Sequence, residues 1–264
     1  TTDLATINYR VHEWNADSIW YVVGAPQQLH FRQLFAAAAR SGHPELDLRH
    51  ISFGSILGKD RKPFKTRSGE NVGLVEVLTE SLERTRAFLD QREEEDEKFT
   101  LSEEEKPEVA RIIGVAVVKY AELSQARMTD YVFDWDKMLS IKGNTAPYLL
   151  YSYVRPRSIL RKALVDYEPP QDLVLEEDAE KTLAKKLLRF GEVVPEVLQD
   201  HRPNLLANYL YELAKNYHSF FQACPVLKAE DDAVRNSRLL LCDLTAKVLK
   251  QGLDLLGIEV TERM

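Results

Sequence analysis

The chain has 264 residues, 44% of them hydrophobic and 29% charged, with a net charge of −7, an ordinary balance for a soluble globular protein of one large domain or two modest ones. Its longest apolar runs, such as Ile112–Val118, are far too short to span a bilayer, and Cys224 and Cys242 lack metal-ligand spacing, so no membrane partner, no tightly bound metal and buried reduced thiols in a cytoplasmic protein are expected. The negative total argues mildly against a nucleic-acid partner, but eight acids are concentrated in 93–97 and 103–105, while Lys59–Arg67 holds five bases against one acid and Arg155–Lys162 four against none, and local basic patches bind phosphate whatever the total.

In chain order, Asp3–Trp14 is predicted as a helix with Leu4, Ile7 and Val11 on one face; because the pattern is under way at Thr1, an upstream segment is expected. Ile19–Val23 is a continuous apolar run ended by Gly24-Ala25-Pro26, the pattern of a buried strand and its turn. A helix over Gln27–Arg40 and a second strand over His50–Leu57 follow, the rhythm of a parallel α/β sheet with too few strands to be complete. Gly58–Gly69 is a polar loop and Val72–Gln91 is helical. Beyond Gln91 no strand is predicted. Ser102 and Glu105 form a capping box ahead of a helix over Val109–Ala126. Further helices are expected at Thr145–Ala163, Glu176–Arg189, Val193–Asp200, Asn204–Ala223 and Asn236–Leu256, the last closed by Gly257. Pro169-Pro170, Pro203 and Pro225 fall between helices. The fold class read from this order is an α/β fragment followed by an all-α bundle.

Four stretches go further. Lys59-Asp-Arg-Lys-Pro-Phe-Lys-Thr-Arg-Ser-Gly69 resembles the degenerate KMSKS loop of arginyl-tRNA synthetases. Asp130-Tyr-Val-Phe-Asp-Trp-Asp136 and Asn144-Thr-Ala-Pro-Tyr-Leu-Leu-Tyr-Ser-Tyr-Val-Arg155 are similar to that family's approach to its anticodon-binding domain, and Leu256–Met264 resembles its C-terminus. The four occur in the family's order over nearly the whole chain. The resemblance implies that residues 1–143 are the C-terminal half of a Rossmann-like class I catalytic core with its KMSKS-like loop and connecting helices, and 144–264 a helical, DALR-type anticodon-binding domain. It implies attachment of arginine to tRNA-Arg in protein synthesis, using ATP with Mg2+ on its phosphates, by a monomer. The N-terminal tRNA-elbow domain and the first half of the nucleotide-binding fold have no counterpart here, so the 264 residues alone are expected to be inactive. The alternative is a non-catalytic, synthetase-derived module for tRNA or protein, which the acidic runs fit somewhat better.

The resemblance also assigns residues. Asp3 matches an aspartate that holds the substrate guanidinium, a planar group suited to two parallel bonds from a carboxylate; the plain alternative is a helix cap. Gln27 is assigned to the arginine substrate, and Leu29-His30-Phe31 is similar to the family's His-Phe pair, with His30 toward ATP or simply packed. Gly24 stands where an acidic residue is usual, and Pro26 where glycine is frequent. In the KMSKS-like loop Phe64 takes the place of methionine beside ATP, and Lys62, Lys65, Thr66 and Arg67 are assigned to the phosphates, where cations stabilise a pentavalent α-phosphate and the leaving pyrophosphate; a solvated basic turn is the alternative. Tyr148, Tyr151 and Arg155 lie three and four residues apart, on one helix face. Two aromatic platforms beside a guanidinium suit the unstacked bases of a single-stranded loop; a stripe of core aromatics is the alternative. The resemblance assigns Tyr148 to anticodon stacking and Tyr151, Arg155, Phe221 and Met264 to the pocket of the central base, Phe221 replacing a tyrosine. Arg157, Arg161 and Lys162 continue the basic face toward phosphates.

Overall fold

A computed structural model describes residues 2–58, 73–95, 99–163 and 169–264. It divides into two compact units, Thr1–Phe64 with Ala126–Phe133, and Lys65–Gln125 with Asp134–Met264.

In the first unit, helix α1 (Thr2–Trp14) and helix α2 (Gln28–Arg40) lie against strands β1 (Ser18–Gly24) and β2 (Asp47–Phe53), which pair in parallel from Ser18↔Asp47 to Gly24↔Phe53. Ile7, Ile19, Phe31, Leu34 and Ala38 form its core. β1 is not buried on both faces, as its unbroken apolar run suggests. Side chains alternate across a strand, so Ile19 packs inward while Trp20 and Val22 are 48% and 66% exposed. The predicted strand His50–Leu57 is two elements, because the chain breaks at Gly54-Ser55. Gly54 donates its amide to the Arg127 carbonyl at 2.8 Å and Ser55 to the Asp130 carboxylate at 2.6 Å. A Cβ on Gly54 would stand 3.0 Å from that carboxylate and 3.1 Å from the Thr129 backbone, so the approach needs glycine. Beyond the break β3 (Ile56–Leu57) pairs in parallel with β4 (Tyr131–Val132), a strand the sequence pattern did not signal. Two residues are too few for periodicity to register.

The second unit is helical: α3 (Leu74–Glu95), α4 (Lys106–Leu123), a single turn α5 (Trp135–Met138), α6 (Ala146–Lys162), α7 (Asp178–Leu188), α8 (Phe190–Asp200), α9 (Pro203–Ala223) and α10 (Asp232–Leu255). α3 and α4 approach through small residues: Ser81 and Thr85 are fully buried, and the Ser81 hydroxyl donates to the Gly114 carbonyl at 2.8 Å. One apolar core runs from α3 to the 257–264 segment, with Leu149, Leu150, Leu183, Leu210, Leu213, Leu249 and Leu253 at zero exposure, each leucine stabilising by roughly 1.5–3 kcal/mol through burial.

The local signals for the helix ends are met. Ser102 and Glu105 exchange the two bonds of a capping box, at 2.9 and 3.2 Å. Thr145 accepts from the Tyr148 amide to start α6, and Gly257 takes φ +67 just past α10. α6 runs through Pro156, which removes a helical donor there. Both cysteines are buried free thiols, and burial pushes Cys242 up to about 12.

Candidate functional site

The first unit brings Asp3 and His30 together. Asp3 stands in the first turn of α1, and its Oδ2 lies 3.2 Å from His30 Nε2 on α2, both side chains half exposed. Asp3 is thus already helical and partnered across the fold, which leaves the simple cap reading without support. Gln27 is exposed at the end of a short 3₁₀ turn (Ala25–Gln27) that carries the chain from the carboxyl end of β1 into α2, and its side chain makes no capping bond. Pro26 sits at the start of that turn, where a missing N–H costs nothing. A Cβ at Gly24 would meet only ordinary contacts, at 3.7 and 3.9 Å, so what Gly24 removes is a carboxylate rather than space. Phe31 is buried, stacked 4.5 Å from His50 and 4.9 Å from Tyr21, and fixes the turn of α2 that displays His30. Burial raises the Tyr21 hydroxyl, with nearby Arg10 opposing that and Asp3 adding to it. The paired Asp3 carboxylate and His30 imidazole offer a place where a cationic, hydrogen-bonding ligand can be held. Lys62, Phe64, Lys65, Thr66 and Arg67 lie outside the described residues.

The second unit gathers four of its five expected residues on one surface. Tyr148, Tyr151 and Arg155 on α6 and Phe221 on α9 are each part-buried, the rings resting one side on the core. One side of each ring packs on the core and the other reaches the surface. The Arg155 guanidinium lies 4.4 Å over the Phe221 ring and 5.1 Å over Tyr151, separations at which cation–π attraction is appreciable. Arg92 on α3 lies 5.5 Å over Tyr151 as well. Tyr148 meets Tyr211 of α9 edge-on at 5.6 Å, and Lys215 covers that second ring at 5.5 Å. Burial, then Tyr211, raises the Tyr148 hydroxyl against the opposing pull of Arg155, keeping it a neutral donor. Met264 is placed differently from the rest. It is 4% exposed and belongs to the main core.

Two more expectations change. Arg157 and Arg161 are engaged by Glu262, at 3.2 and 2.6 Å, and the Tyr153 hydroxyl donates to the same carboxylate at 2.8 Å. Those cations hold the 257–264 segment against α6 instead of standing ready for phosphate. Sequence reasoning also missed His218, Tyr211, Lys215 and Arg92. His218 and Phe221 are three apart on α9, and Tyr151 and Arg155 four apart on α6, but only the packing of the two helices makes the coincidence visible. Among the described residues no group of three or more His, Cys, Asp or Glu could hold a metal ion, and no helix is long and apolar enough to cross a membrane.

The chain matches two protein families in succession: "tRNA synthetases class I (R), catalytic domain" over residues 1–135, and "DALR anticodon binding domain" over residues 149–264. It is 47% identical over 266 residues to the arginine–tRNA ligase of Shewanella amazonensis, across 100% of this chain and 45% of that protein. Among solved structures, it superposes on the arginyl-tRNA synthetase of Plasmodium falciparum with a TM-score of 0.84 at 30% identity, covering 100% of this chain and 44% of that one. For the Thermus thermophilus arginyl-tRNA synthetase the TM-score is 0.81 at 31% identity, covering 94% and 41%. The chain therefore spans somewhat under half the length of the relatives it matches.

Proposed function

This chain belongs to the class I arginyl-tRNA synthetase family, and from that membership we propose that it supplies part of the catalytic core and the anticodon-binding domain of an arginine–tRNA ligase, residues 1–143 serving the first role and 144–264 the second. The observation that carries the reading is the Arg155 cluster. A guanidinium resting on two aromatic rings, with Tyr148 one turn before Tyr151, offers stacking surfaces and directed donors together, and Tyr151, Arg155 and Phe221 lie within the stretch that matches the anticodon-binding family. Tyr148 stacks on the anticodon loop, and Tyr151, Arg155 and Phe221 receive its central base. Met264 supports that pocket from within the core.

In the first unit, Asp3 takes the guanidinium of the substrate arginine. One of its oxygens now faces His30, so a bidentate ligand replaces the imidazole there, and His30 turns toward ATP. Gln27 fixes the remaining polar end of the amino acid. Lys62, Lys65, Thr66 and Arg67 act on the phosphates, with Phe64 beside the nucleotide. ATP with Mg2+ supplies the activating phosphoryl chemistry in the whole enzyme, which works as a cytoplasmic monomer.

The test is a titration of this chain against tRNA-Arg and a transcript changed at the central anticodon base. Binding weakened by ~1–3 kcal/mol on that change, the scale of one lost base contact, is expected. Binding indifferent to the base would favour the other reading, a non-catalytic module for RNA or protein, toward which the cluster of Lys106 with Asp90, Glu93 and Glu103 already leans.

A further inference from the structure

We infer that His218 is a positioning residue for base discrimination, acting through Arg155; this rests on the anticodon reading given above. Arg155 Nη1 donates to His218 Nδ1 at 3.1 Å. That bond has a chemical requirement: Nδ1 must carry a lone pair, so the ring proton sits on Nε2. The guanidinium has two further restraints, the faces of Phe221 at 4.4 Å and Tyr151 at 5.1 Å. Stacking alone leaves a guanidinium able to turn within its own plane, because ring faces attract charge without directing individual N–H bonds. An in-plane acceptor removes that freedom. With Nη1 held by His218, the Nε and Nη2 hydrogens point in fixed directions, and neither has a protein partner among the described residues.

The location fits the role. His218 is exposed on the face of α9 that also carries Tyr211, Lys215 and Phe221 at helical spacing, beside the face of α6 that carries Tyr148, Tyr151 and Arg155. It adds nothing to the apolar core, which argues against a purely structural purpose. Exposed side chains that only decorate a helix contribute little to stability. An oriented guanidinium, in contrast, distinguishes a base edge by where its acceptors lie, and discrimination depends on orientation in a way that bare affinity does not.

Discrimination therefore depends on an acceptor at the Nδ1 position more than on a histidine as such. Asparagine offers its Oδ1 at a comparable distance from the backbone, whereas alanine offers none. The experiment compares the unmodified chain, His218→Ala and His218→Asn, each titrated against tRNA-Arg and the transcript changed at the central anticodon base, with thermal melting as the folding control. Expected are a preference of about tenfold or more for the native base in the unmodified chain, a fall to within about twofold in His218→Ala with unchanged melting and unchanged affinity for the altered transcript, and recovery of most of the preference in His218→Asn. Full discrimination by His218→Ala overturns the inference, as does a His218→Asn variant that fails like alanine. If the unmodified chain itself ignores the base, the anticodon reading falls with it, and that outcome is visible before any variant is made.

Discussion

Arg155 and Glu262 illustrate two uses of charge at the level of single residues. Arg155 spends one donor on His218, and in the proposed anticodon role its replacement should be felt in binding rather than folding. Arg155→Lys retains the positive charge but loses the planar fork and most of the stacking on Phe221 and Tyr151. The expected result is ~1–3 kcal/mol weaker binding of tRNA-Arg with an unaltered melting temperature, measured by titration and calorimetry. Glu262 is the reverse case, a carboxylate serving the fold. Burial alone would raise it, but the Tyr153 hydroxyl and the Arg157 and Arg161 guanidinium groups outweigh that and hold it below its ordinary 4.5. A carboxyl depressed in the folded state stabilises fully above its unfolded value, and the stabilisation is lost as pH falls through the folded one. Melting temperature should therefore drop as pH falls toward and then below 4.5, and Glu262→Gln should lower it at neutral pH while flattening that descent. Glu93, Glu105, Glu108 and Glu259 are depressed in the same sense by their own hydrogen-bond and cation partners, so some slope should survive.

At the scale of elements, sequence and structure agree where the information is local. Helices α2, α6, α9 and α10 announce themselves through apolar spacing, through Thr145 and through Gly257, all written within a few residues of the ends they set. The disagreements are as consistent. β1 reads as fully buried because composition does not say which neighbours a strand has, and β4 is invisible because its pairing lies with residues some seventy positions away. The Asp3–His30 pair and the Arg155 cluster were legible as candidate residues only through family resemblance; that Arg155 would rest on Phe221 and bond to His218 depends on how α6 and α9 pack. Helix α7 shows how far such long-range pairing can matter. Glu180, at zero exposure, accepts from the Glu176 and Glu177 amides at 2.7 and 2.8 Å and pairs with Arg238 of α10 at 2.6 Å. Glu180→Ala would uncap α7 and leave a buried guanidinium without its partner, and a loss of about 3–5 kcal/mol in unfolding free energy is expected, read from denaturant titration. A loss below about 1 kcal/mol, the scale of a surface pair, would contradict it.

For the molecule as a whole, the chain spans 45% of the Shewanella relative, and the arginine site proposed for it draws on Asp3 and Gln27. ATP–pyrophosphate exchange by these 264 residues, supplied with arginine and tRNA, is expected to stay at background; turnover at the rate of a whole synthetase would sink that expectation. Binding to tRNA should nonetheless be measurable, since the helical unit contains the larger core and the whole Arg155 cluster. That unit is closed by the 257–264 segment: Arg111 grips Glu259 at 2.5 Å, Tyr153 and Arg161 grip Glu262, and Arg263 reaches the Thr100 carbonyl at 2.6 Å. These contacts join residues 101 to 163 positions apart. Helical hairpins such as α9–α10 assemble from near neighbours and can form early, whereas ties of such span bear the greatest loop-closure entropy and belong to the slow part of folding. Met264, buried in the same core and proposed to support the base pocket, arrives with them. The surface proposed to read the anticodon is therefore among the last parts of the protein to be completed, and during refolding its ability to hold RNA should lag behind the recovery of helix content.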